Sequence, residues 1–190
     1  VGIIYVSHRM REIKQIAAGI PHRDLSIQLD ICHDMIAWDG RFAFTGGGSK
    51  TKTAMVAAIK RLSEAVPRGV ELGYHLCYGD FRGRHFVEPE DAGCAVDFAN
   101  TLSTAVKRPI AWIHMPVPEN RSDERFFAPL ARLKLHKETA LFLGLVHLDG
   151  VPATRKRIAA AKKYMPHFGV ATECGMGRKW GTAEIPALMR

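Results

Sequence analysis

The side chains in this 190-residue chain best suited to chemistry are His75 and Cys77, in the run Tyr74-His75-Leu76-Cys77-Tyr78. Residues 70–78 are apolar enough to read as a β-strand, and successive side chains of a strand point to opposite faces. His75 and Cys77 therefore share a face, with Cα atoms about 7 Å apart at a rise of about 3.3 Å per residue. That spacing lets an imidazole nitrogen and a thiolate converge on one ion. A second stretch, 168–174, also reads as a strand and ends on Cys174. Two soft sulfurs and an imidazole are the donor types zinc favours.

For such groups to meet, the strands that carry them must end on one rim. The apolar periodicity predicts strands at 25–31, 70–78, 110–115, 141–148 and 168–174. It predicts helices at 9–18, with Ile13, Ile16 and Ala17 inward, and at 51–66, 91–106, 123–135, 152–165 and 183–189. Residues 1–6 read as a short strand or a tail, and 38–50 as a loop. Gly46-Gly47-Gly48 lacks the Gly-Lys-Ser/Thr ending of a phosphate loop. Strand and helix alternate five times, which means a parallel sheet covered by helices. Polar residues fall just after the strands: Asp30, the His75/Cys77 pair, Glu119, the His147/Asp149 pair and Cys174. Ligands of parallel α/β folds collect at that end, in open sheets and barrels alike. A flavodoxin-like open sheet and an incomplete eight-fold barrel both fit five units.

Composition sets the class. The chain is 47% hydrophobic and 24% charged, ordinary for one globular domain spanning 1–190. It has no apolar run long enough for a membrane helix and no N-terminal export signal. Its four cysteines make no dense framework of the secreted kind, which points to a reducing, cytoplasmic setting. The net charge of +8 reads first as a solvated Lys/Arg surface, with Lys60-Arg61 and Arg155-Lys156-Arg157 on helical patterns, and more sharply as a field that holds an anionic small molecule. No interleaving of basic and aromatic residues argues for nucleic acid. The first residue is Val, so the chain is expected to be a fragment or a processed product. Cys94, inside the 91–106 helix, reads as a packed core thiol.

Four motifs follow one another in the chain: Ile27-Gln28-Leu29-Asp30, Tyr74-His75-Leu76-Cys77-Tyr78, Glu119-Asn120-Arg121-Ser122-Asp123 and Glu173-Cys174-Gly175-Met176. In that order, and with Trp180-Gly181-Thr182-Ala183-Glu184 beyond them, they resemble the C-terminal half of cobalamin-independent methionine synthase. Its relatives include uroporphyrinogen decarboxylase and the zinc-dependent coenzyme M methyltransferases. The resemblance runs from about residue 10 to the end. It implies a (β/α)8 TIM-barrel fold, of which this chain supplies roughly the five C-terminal βα units. The missing N-terminal barrel half would come from a longer chain, or the chain would form a homo-oligomer.

The resemblance also implies a ligand set of His75, Cys77 and Cys174 for Zn2+, with Glu119 in the fourth position and Glu88, Asp97 and His114 as rivals. It matches Asp30 to the aspartate near the amino group of the thiol substrate. His147 and Asp149, on one face after the fourth strand, are candidates for substrate contact, and Arg82, Arg84 and Arg121 for anion clamps. The implied activity is methyl or alkyl transfer from a donor, anionic and folate-like, to a small-molecule thiol. The family's Asp-Glu-Pro is Asp30-Ile31-Cys32 here, a departure that removes a carboxylate from the amino acid site. A metal-free decarboxylase-like enzyme and a non-catalytic partner domain with a structural metal are the alternatives.

Overall fold

The computed structural model describes residues 3–41, 49–79, 85–175 and 185–188. Five parallel strands form one sheet: β1 (Ser26–Ile31), β2 (Glu71–Leu76), β3 (Trp112–Pro116), β4 (Ala140–Val146) and β5 (Gly169–Thr172). Their order across the sheet is β1-β2-β3-β4-β5, so each strand lies beside the next in sequence. An open doubly wound sheet reverses its order at a switch point. No reversal occurs here, so the flavodoxin-like arrangement is ruled out for these strands. The succession is that of a partial TIM-barrel-like fold.

Pattern explains the two faces. In register, Leu29, Tyr74 and Ile113 stand side by side, as do Ile31 and Leu76, and Met115 and Leu143. These side chains form one core with Ile59, Val96, Phe98, Ala99, Leu102, Ala160 and Ala161, from the helices α3 (Ser49–Ala65), α4 (Gly93–Ala105) and α6 (Val151–Lys162). Alternation puts Gln28, Asp30, Gly73, His75, Trp112, His114, Phe142 and Gly144 on the opposite face. That face is polar and aromatic. The Trp112 indole lies flat across Gly73, where an added Cβ would come within 1.9 Å of the ring, and its Nε1 donates to Gln28 Oε1 at 3.3 Å. The strand therefore needs glycine at 73 for a close approach.

The remaining elements depart from the sequence expectations in three places. Of the expected strand at 1–6, the described residues 3–6 are helical: α1 runs Ile3–Gly19 and buries Val6, Ile13 and Ala17, while Ile16 is 41% exposed. The expected loop at 38–50 is partly helical, because α2 (His33–Asp39) buries Met35, Ile36 and Ala37. Gly40 closes it at φ 76°, with its N–H on the Ile36 carbonyl. The helix expected at 123–135 is broken into α5 (Glu124–Phe127) and a 3-10 turn, Ala128–Arg132, because Pro129 has no N–H to continue the ladder. Of the C-terminal helix expected at 183–189, the described residues Ile185–Leu188 are helical, as α7. Gly46–Gly48, Asp80, Arg82, Arg84, Met176 and Trp180–Glu184 lie outside the described residues. Among those described, no helix is long and apolar enough to cross a membrane.

Candidate metal centre

His75 sits near the carboxyl end of β2, and Cys77 one residue beyond it. Both are buried, at 6% and 2% exposure. Cys174 follows β5 and is half-buried. The ligand atoms of these three residues lie within 4.8 Å of one another, and the two sulfurs are 3.3 Å apart. Around a tetrahedral ion with bonds of about 2.0–2.3 Å, neighbouring donors stand roughly 3.5–4 Å apart. The three donors bracket that distance. All four cysteines carry free thiols. The side chains therefore fit zinc in type and spacing.

Local structure holds each donor. Cys77 Sγ accepts the Gly79 N–H at 3.2 Å. Gly79 turns the chain at φ 87°, and a Cβ there would meet the Phe86 ring at 2.0 Å. His75 pairs in register with Asp30 on one side and His114 on the other. Its Nδ1 lies 2.6 Å from His114 Nδ1, with the rings stacked at 14°. One nitrogen of that pair carries the proton. With Nδ1 engaged by His114, Nε2 is the nitrogen left to face Cys174, to which His75 also bonds. Metal-bound histidines are oriented in this way through the other ring nitrogen. Burial, reinforced by the adjacent His75, pushes His114 down to about 4, so it is neutral at pH 7.

The thiols do not share charge evenly. Hydrogen bonding from Cys77, and then from His75, pushes Cys174 down to about 5. Cys77 is pushed up, by its bonds to Cys174 and Cys32 and then by burial. Cys174 is thus the first of the pair to ionise. Cys32, just past β1, bonds to Cys77 and is itself lowered by that bond. Sequence reading assigned it no role. The β1–β2 register ends at Ile31–Leu76, and Cys32 and Cys77 are the residues that follow it on the two strands, a neighbourhood that sequence alone does not show.

The other candidate residues fall in different places. Asp30 lines the same concavity of about 590 Å³ as His75, Trp112, His114, Phe142 and Cys174. Glu119 is outside the three-donor group. It lines a second hollow of about 420 Å³ with His85, Glu88, Asp149 and Glu173. Glu173 lines both hollows. His147 is fully buried, with Nε2 on the Val117 carbonyl at 3.0 Å and Nδ1 3.3 Å from Glu173 Oε2. Asp149 is clasped by Arg157, a buried residue whose N–H groups also reach the Glu119 and Leu145 carbonyls. Glu88 pairs with His85, and Asp97 lies on the solvent side of α4 near Arg132. Arg121 is held by Asp123, the Glu90 carbonyl and the Phe126 ring. Cys94 is pushed up to about 11 by burial, as a packed thiol should be.

The fold and these strand-end groups are those of a parallel α/β protein with a possible metal site on the carboxyl rim of its sheet. No protein-family model and no curated protein matches the chain. Among solved structures it is similar to a Listeria monocytogenes protein described as a candidate vitamin-B12 independent methionine synthase, with a TM-score of 0.59 and 15% identity. The match covers 97% of this chain and 49% of that one, so the chain spans about half the length of its neighbour. The likeness is one of fold.

Proposed function

We propose that this chain holds zinc through His75, Cys77 and Cys174 and serves alkyl transfer to a substrate thiol. The observation that supports the reading most is the meeting of two thiols and an imidazole, from two strands far apart in sequence, on the polar face of a methionine synthase-like fold. Zinc bound there would strip the proton from a thiol near neutral pH and leave the sulfur nucleophilic.

The chain's own residues do the rest. His114 fixes the His75 ring through the 2.6 Å nitrogen contact. Trp112 and Phe142 wall the concavity with apolar surface where the alkyl donor would lie. Asp30, on the same wall, would hold a cationic group of the thiol substrate. His147, between the Val117 carbonyl and Glu173, would orient Glu173 towards the rim, and Arg157 would do the same for Asp149. The formal charge of +8 favours an anionic donor of folate-like character. Edges β1 and β5 would be covered by further βα units, from a longer chain or a second copy.

Elemental analysis of the purified protein with its intact mass is the test. About one zinc per chain is expected, with none in the Cys77→Ser, Cys174→Ser double variant. Stoichiometric zinc in that variant overturns the assignment.

A further inference from the structure

We propose that Cys32, rather than a carboxylate, is the fourth zinc donor, giving a site of three cysteines and one histidine. The inference rests on the zinc reading above and completes its coordination.

Backbone register places the residue. Ile31 pairs with Leu76, and the Cys77 N–H donates to the Ile31 carbonyl at 3.4 Å, so the β1–β2 ladder extends to this point. The next residue on β1's side is Cys32, beside Cys77 and on the rim that carries Cys174. Neighbouring strands are about 4.8 Å apart, within thiol reach. Cys77 in turn touches Cys174 at 3.3 Å. Three thiols thus follow the ends of β1, β2 and β5, on the rim that also carries His75.

Cys32 lies one step outside the three-donor group. A change from one staggered χ1 well to another moves a cysteine sulfur by about 3 Å, enough to bring it onto an ion seated among the other donors. Glu119, by contrast, faces the second hollow, and its main-chain carbonyl is bound by Arg157. Donor chemistry agrees, since soft thiolates suit zinc and three of them with one imidazole is a standard set. A site with four protein donors is closed at rest. A substrate thiol then enters by exchange, and Cys32, at the edge of the group, is the donor that yields.

X-ray absorption at the zinc edge of the wild-type protein, purified under reductant, tests this without any substitution. Three sulfurs and one nitrogen are expected. Cys32→Ser should show two sulfurs, and its cobalt-substituted form should lose the corresponding share of thiolate charge-transfer absorption. Its zinc affinity should fall at least about tenfold, the lower end of what losing even an outer-shell partner costs. A wild-type site with two sulfurs, unchanged in Cys32→Ser, overturns the Cys32 assignment and leaves the zinc reading intact. Wild-type protein that binds no zinc under reductant overturns both. If Cys32→Ser fails to fold, the wild-type sulfur count decides alone.

Discussion

Arg157→Met is the substitution whose consequence is best defined by the structure. Arg157 is 1% exposed. Its guanidinium bonds to the Asp149 carboxylate, to the Leu145 carbonyl at 3.1 Å and to the Glu119 carbonyl. It thereby ties α6 to the end of β4 and to the loop after β3. Methionine preserves the length of the stem and removes every donor. Breaking a buried ion pair by removing one partner costs about 3–5 kcal/mol. Asp149 is 29% exposed on its side chain and can recover some hydration, so the lower end applies, about 3 kcal/mol. That is a large share of the roughly 5–15 kcal/mol that holds a domain folded. Urea unfolding should show the midpoint falling with an unchanged slope. Adding Asp149→Asn to Arg157→Met should recover part of the loss, since it removes the stranded charge. Zinc content below the transition should not change, because Arg157 is outside the donor group. A loss under about 1 kcal/mol, the size of an exposed pair, or a double variant no better than the single, would show that the clasp is not what holds the rim loops.

Three further outcomes are expected. Gly73→Ala should cost about 1–3 kcal/mol by overpacking against the Trp112 ring, read as a lower thermal midpoint; an unchanged midpoint would mean that the indole moves away freely. Asp123 caps α5 by accepting the Phe126 N–H at 3.0 Å, and Arg121 holds its carboxyl below the usual range, so Asp123→Ala should cost about 1 kcal/mol at pH 7. Because the folded value is the lower one, that contribution is full above the unfolded value of about 3.9 and is lost as pH falls through the folded value; a difference between wild type and variant that grew on acidification would contradict the assignment. Zinc-loaded protein supplied with homocysteine and methyl-folate should make methionine far more slowly than about 1 per second, since Asp30-Ile31-Cys32 lacks a carboxylate that would partner the substrate ammonium. Turnover at ordinary enzyme rates would refute that selectivity argument.

Strand positions were readable because buried parallel strands are short apolar runs with helical stretches between them. The His75-Leu76-Cys77 spacing was readable because period-2 geometry needs no tertiary information. The choice between barrel-like and doubly wound order was not, since both arise from the same alternation. Only the ladder from Ile31–Leu76 to Gly144–Ala171 decides it. Arg157 read as one of three solvated cations in Arg155-Lys156-Arg157, because the carbonyls that bury it come from loops distant in sequence. The helix His33–Asp39 was hidden by its polar first turn, although Gly40 marked its end. Pro129 marked the break in the 123–135 helix, where Phe126, Phe127 and Leu130 are nonetheless buried.

The consecutive strand order also has a kinetic side. Each strand finds its partner in the next βα unit, so no pairing waits for a distant end of the chain to return. The loops to be closed shorten along the sequence, from Ile31–Leu76 and His75–His114 to Met115–Leu143 and Gly144–Ala171. Closure entropy grows with loop length, so pairing among β3, β4 and β5 has the smaller barrier and can precede the addition of β2 and β1. Cys174 is then in place on the early part of the sheet, and His75 and Cys77 arrive late. The donor triad assembles only when the sheet has grown back across β2, which would make a bound ion a reporter of a late stage of folding rather than its seed.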